Sequence, residues 1–181
     1  MRPMLKAVLA AVILAVSFAS PVAAGPFEDG NAAYDRKDYA TALRFYRPLA
    51  DQGHAEAQFN LGLMYSNGRG VPQDYAAAVS WYRKAADQGR AAAQVNLGLM
   101  YDNGQGVPQD HVFAHMWANL AASRSPASDK EKHNNAAKLR DLVAGMMNQA
   151  QIAEAQRLAR EWKPKTWAQV QAMESAESRR R

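Results

Sequence analysis

In the stretch AEAQFNLGLMYSN, residues 55–67, Ala57, Leu61 and Tyr65 return at every fourth position with Gly62 beside them. That spacing puts them on one face of a helix. Asn67-Gly68 follows, and glycine readily takes the left-handed conformation that closes a helix. Gly70-Val71-Pro72 turns the chain. Asp74 is placed as N-cap of a second helix, from Tyr75 to about Gln88. Ala78, Trp81, Tyr82 and Ala85 mark its apolar side, and Gly89 closes it.

The pattern then repeats. LGLMYSNGRGVPQD at 61–74 returns as LGLMYDNGQGVPQD at 97–110, a period of 36. Leu97, Gly98, Tyr101, Gly104, Gly106, Asp110, Ala114 and Trp117 take the places of Leu61, Gly62, Tyr65, Gly68, Gly70, Asp74, Ala78 and Trp81. A shorter unit precedes them, with Tyr39, Ala42, Phe45, Tyr46 and Arg47 in frame with Tyr75, Ala78, Trp81, Tyr82 and Arg83. Helices of roughly 12–14 residues are marginal alone. Each must bury its apolar face on the next, so fixed-period helix pairs predict a solenoid. Gly62, inside a helix, costs about 1 kcal/mol against alanine. Its bare backbone predicts a close neighbour. The expected fold is all-α, a right-handed helix-pair solenoid with units at about 27–53, 54–89 and 90–123 within a repeat domain of 25–123.

A helical cap is expected over 124–163. Ser128-Asp129-Lys130-Glu131 has the pattern of a capping box and opens a helix to about Met147. Asn148 with Gln151 opens another that ends before Pro164. Ile152, Ala155, Ala159 and Trp162 form its apolar stripe. Residues 164–181 read as a basic, flexible tail, in which Trp167, Val170 and Met173 make a short extra turn.

The spaced set Ala55, Ala57, Leu61, Gly62, Tyr65, Gly68, Gly70, Val71, Asp74, Ala78, Trp81, Ala85, Ala86 and Gly89 resembles the Sel-one-like repeat, a relative of the tetratricopeptide repeat. The resemblance covers roughly 27–123. The opening unit, GNAAYDRKDYATALRFY, lacks the Gly-x-Gly insertion and is more similar to an ordinary tetratricopeptide unit. The cap segment resembles the helices that follow such repeats in bacterial members. The family resemblance implies a protein-interaction scaffold.

Length allows one domain with a real core. MRPMLK followed by an uncharged AVLAAVILAVSFA and then SPVAAGPF reads as a signal peptide, residues 1–24, cleaved after Ala24. An uncleaved anchor is the alternative, but the apolar run is short for a bilayer. The mature protein is therefore expected in the periplasm or outside the cell, without a stable membrane anchor. The chain has no cysteine, which excludes disulfides and thiol chemistry. Its formal charge is +5, with the excess toward Arg179, Arg180 and Arg181. No aromatic residues interleave with these arginines, so nucleic acid is not an expected partner.

No catalytic motif stands out: no His-Glu-x-x-His, no phosphate-binding glycine loop, no Gly-x-Ser-x-Gly and no Ser-x-x-Lys. Some cysteine-rich secreted relatives handle β-lactams, a property that the missing cysteines put in doubt here. His111 and His115 lie one turn apart, but only Asp110, the expected N-cap, stands near as a third ligand. Neither a metal nor a cofactor is expected, and the chain is not expected to be an enzyme. A cell-wall or β-lactam activity, with Glu56 as a carboxylate, is the alternative. A self-associating assembly factor is another.

In tetratricopeptide relatives the first helices line the concave surface, and ligands lie along it. Carried over, the lining residues are Glu56, Phe59, Leu63, Ser66 and Asn67, then Ala92, Val95, Leu99, Asp102 and Asn103, with Phe27, Asn31, Tyr34 and Asp35 in the first unit. Phe59, Leu63, Val95 and Leu99 form an apolar strip for a peptide or protein partner in the cell envelope. Asn67 and Asn103 can clamp its backbone through their amides. The competing expectation is that a neighbouring helix or the C-terminal pair covers the strip.

Overall fold

A computed structural model describes residues 25–124 and 130–180. The expected signal segment 1–24 and the Ser128-Asp129 half of the capping box lie outside the described residues. Among the described residues all regular structure is helical. The elements are α1 (Pro26–Asp35), α2 (Tyr39–Asp51), α3 (Ala55–Asn67), α4 (Tyr75–Asp87), α5 (Ala91–Asn103), α6 (His111–Arg124), α7 (Lys130–Ala144), α8 (Gln149–Glu161) and α9 (Trp167–Ser178). Consecutive helices pack in sequence from α1 to α7, and α8 returns against α6. The result is a helix-pair solenoid.

The caps are those that the residues dictate. Asp74 Oδ1 accepts from the Ala77 amide at 2.9 Å, and Asp110 Oδ1 accepts from the amides of Val112 and Phe113. Asn148 and Gln151 exchange side-chain and backbone bonds in a capping box at α8. Loss of such a cap costs about 1 kcal/mol.

The two glycines of each Gly-x-Gly do different work. Gly104 (φ 65) closes α5 in the left-handed region, and a Cβ there would meet nothing nearer than 3.4 Å. Gly106 (φ 72) lies against the start of α4, where a Cβ would stand 2.3 Å from the Tyr75 carbonyl oxygen. The second glycine therefore seats each turn on the preceding unit. Gly62 answers its helical penalty as expected: a Cβ there would lie 2.5 Å from the Tyr82 ring.

The core runs along the stack. One cluster joins Tyr46, Leu61, Met64 and Trp81, and the next joins Tyr82, Leu97, Met116, Trp117 and Leu120. Buried polar groups repeat too. Gln58 and Gln94, both fully buried, donate through Nε2 to the carbonyls of Ala50 and Ala86 in the preceding helices. Arg47 and Arg83 donate to the hydroxyls of Tyr65 and Tyr101, each eighteen residues on.

The segment 164–181 differs from its expectation. Instead of a flexible tail with one turn, it contains α9, twelve residues long. Thr166 and Gln169 form a capping box at its start, a pattern present in the sequence. Val170 is buried, 3% exposed.

Candidate functional site

The first-helix face is formed by α1, α3 and α5. On α3 the residues Glu56, Phe59, Leu63 and Asn67 follow one another at intervals of three and four, so they share a stripe. Phe59 and Leu63 are half-buried and pack on the cluster that contains Tyr82 and Leu97. The Phe59 ring lies 5.9 Å from that of Tyr82, and the Arg90 guanidinium stands 5.6 Å from the Phe59 centroid. On α5, Val95 is half-buried against clusters that include Leu139, Val143 and Ala136 of α7. Leu99 is 39% exposed. The four apolar residues are thus unequal: the C-terminal helices reach Val95, whereas Leu99 stays open.

The polar members also divide. Asn67 spends its Nδ2 donor on the Leu63 carbonyl at 2.8 Å, closing its own helix. Its second Nδ2 hydrogen and its Oδ1 remain free of that bond, and both Asn67 and Asn103 are exposed. Asp102 turns toward α6, with Oδ1 3.2 Å from His111 Nδ1 and its side chain 13% exposed. Glu56 lies at the N-terminal ends of α3 and α5, with its carboxylate 3.7 Å from Arg90 and 3.9 Å from His54. An open cavity of about 300 Å³ is lined by Glu56, Arg90 and Arg124 there. It does not include Phe59, Leu63, Val95 or Leu99.

Residues that sequence reasoning missed join this face. Tyr46 rises from α2, and its hydroxyl donates to Asn31 Oδ1 at 2.7 Å; Asn60 Nδ2 donates to the same oxygen at 3.3 Å. Tyr82 stands one period on, with Asn96 and Ser66 near its hydroxyl. Burial pushes both phenols up to about 12, against the smaller downward pull of the asparagines. Both tyrosines therefore remain neutral at any physiological pH. Asn60 and Asn96 recur at the 36-residue period, which was the available signal. The series stops in the third unit, where Ala118 occupies the tyrosine position. There Leu139 of α7 fills the space, 3.4 Å from where a Cβ on Gly98 would be.

His111 and His115 do not converge on a third ligand. Among the described residues no group of three His, Asp or Glu side chains can hold a metal. His115 is 3% exposed, and its Nδ1 has no partner. Burial holds its pKa below the usual histidine value, and the Arg140 charge adds to that effect, opposed by Asp141. What the face offers is amide hydrogen bonding beside partly open apolar side chains, with the phenols of Tyr46 and Tyr82 buried beneath it.

Comparisons with known proteins agree with this architecture. No curated protein matches the sequence. The chain is similar to a solved structure titled as c5321, a protective antigen present in uropathogenic Escherichia coli strains displaying an SLR fold, at 30% identity and TM-score 0.67. That match covers 81% of this chain and 32% of the other, so the chain spans about a third of that protein's length. It is also similar to a Sel1 repeat protein from Oxalobacter formigenes, at 34% identity and TM-score 0.52, over 61% of this chain and 86% of that one. The family model described as Sel1 repeat matches residues 27–54, 55–89 and 91–126. The chain belongs to the Sel1 repeat family.

Proposed function

We propose that this protein is an exported, non-enzymatic adaptor that binds a peptide or protein segment of the cell envelope on the concave face of α1, α3 and α5. Sel1 repeats generally mediate protein–protein interaction, and the proposal names the surface. The observation that carries it is Leu99: a large apolar side chain, 39% exposed, on the same helix as Asn96 and Asn103. An open apolar side chain beside amide groups suits an extended segment, whose side chains take the apolar contact and whose backbone takes the hydrogen bonds. Export rests on the signal-like residues 1–24.

Photo-crosslinking in cells tests this reading. A photo-reactive residue is placed at Leu99, a second at Leu63, and a control at Trp81, which is 9% exposed. Capture of one defined partner from Leu99, and none from Trp81, supports the adaptor. Crosslinks from Leu99 confined to its own chain would refute the proposed surface.

A further inference from the structure

The C-terminal helix α9 has no counterpart in the repeat, and its position is informative. After α8 the chain crosses the turns between units. Pro164 lies against the α4–α5 turn, 3.7 Å from where a Cβ on Gly89 would be. The Lys165 amide donates to the Asp87 carbonyl at 2.8 Å, and Lys165 Nζ pairs with Asp87 Oδ1 at 2.5 Å. Trp167 covers the α2–α3 turn so closely that a Cβ on Gly53 would fall 2.3 Å from its ring. The helix then runs back along α4, where Lys84 Nζ meets Glu174 Oε1 at 2.9 Å. Its far half borders Gly106 and Val107 of the third unit across a cavity of about 380 Å³.

One short helix thus touches the second-helix side at unit one's turn, along unit two and beside unit three. In a solenoid each unit contacts only its neighbours, so curvature is the sum of small unit-to-unit rotations. A strap across several units on one side limits those rotations. The attachment is also light. Val170 is the buried side chain of α9, a cavity borders it, and two lysine–carboxylate pairs join this segment to α4. The more exposed Lys84–Glu174 pair weakens with salt, whereas the pair of the buried Asp87 is screened less.

We infer that α9 is a releasable strap, held by Lys165–Asp87 and Lys84–Glu174, that sets the curvature of the solenoid and thereby the shape of the opposite, first-helix face. Its value as regulation of binding rests on the adaptor reading above. The strap itself does not, and its test reads shape without any ligand.

The chain has no cysteine, so two can be introduced cleanly. Arg44→Cys on α2 and Arg160→Cys on α8, both exposed, carry spin labels across the stack in the full-length chain. In that background Glu174→Lys sets like charges against each other at Lys84. Hydrogen exchange of the Val170 amide is expected to speed by about fivefold or more, the equivalent of one lost ion pair. The label-to-label distance distribution is expected to broaden or shift with it. The double variant Lys84→Glu with Glu174→Lys restores the pair in reverse and is expected to return both readouts toward the parent. Release of α9 with an unchanged distance distribution overturns the inference. So does a Glu174→Lys variant in which exchange at Val170 is unaltered.

Discussion

The two glycines of the third unit's turn allow a sharp test of how the units are seated. Gly104→Ala and Gly106→Ala make the same chemical change two residues apart, at nearly equal φ of 65 and 72. Both place a Cβ in the left-handed region, at about 1–2 kcal/mol. At position 104 that is the whole effect, because the nearest atoms stand at an ordinary 3.4 Å. At position 106 the methyl would overlap the Tyr75 carbonyl at 2.3 Å and its carbon at 2.4 Å. Both are backbone of α4, so no side chain can swing away. Relief requires the turn and the preceding unit to separate, which adds about 1–3 kcal/mol by analogy with overpacked cores. The expected difference between the variants is therefore about 2 kcal/mol. Urea titration followed by the fluorescence of the four tryptophans, with far-UV circular dichroism as the second probe, reads this directly. At a typical slope of about 1–3 kcal/mol per molar urea, it corresponds to about 1 M in midpoint. Gly70→Ala, with contacts of 2.8–2.9 Å to Tyr39, is expected to fall between. Equal midpoints for Gly104→Ala and Gly106→Ala would refute the seating of each turn on the unit before it.

Other expectations concern the face and its supports. His115 is held neutral by burial, so the unfolded chain binds more protons near and below the ordinary histidine value of 6.5. Stability is therefore expected to fall as pH drops through that value, and His115→Gln is expected to flatten the urea midpoint between about pH 7 and pH 5. Leu99→Asp is expected to leave stability within about 1 kcal/mol because the site is open, whereas Leu63→Asp, packed on the Tyr82 cluster, is expected to cost about 2 kcal/mol or more; thermal melts of the pair decide it. Tyr46→Phe removes the 2.7 Å bond to Asn31 and is expected to cost about 1 kcal/mol by urea titration.

The sequence exposed the frame of this molecule because a period of 36 repeats caps, turn glycines and apolar faces together. Asp74, Asp110, Gly62 and the Asn148 box each announce a local requirement that the residue itself meets. Less visible were the groups whose partners lie in another unit. Gln58 and Gln94 carry no burial signal of their own, yet both are buried with their amides on the preceding helix. Tyr46 and Tyr82 are core, each 1% exposed, but the pattern does not show that the Tyr46 hydroxyl donates to Asn31 of α1. Nothing in a one-dimensional pattern says which neighbour an amide will meet. A polar residue that recurs at the repeat period was nonetheless a clue to a structural partner. The α9 helix was less legible for another reason: beyond its Thr166–Gln169 box it buries only Val170, so it carries no apolar stripe.

The positions that fail to repeat then acquire meaning. Phe59 becomes Val95, Ser66 becomes Asp102, Tyr75 becomes His111 and Tyr82 becomes Ala118, while the glycines and the Ala-Leu-Tyr face stay the same. Stacking is a demand that every unit shares, so its residues are held in common. The altered positions are where the third unit meets something different. Ala118 opens the space that Leu139 enters, Val95 lies under the C-terminal helices, and Asp102 turns to His111. These changes end the tyrosine–asparagine series at unit three and hand the face over to the cap. On the adaptor reading, the surface left for a partner is therefore the part where Leu99 and Asn103 are exposed, on the same helix as Asn96.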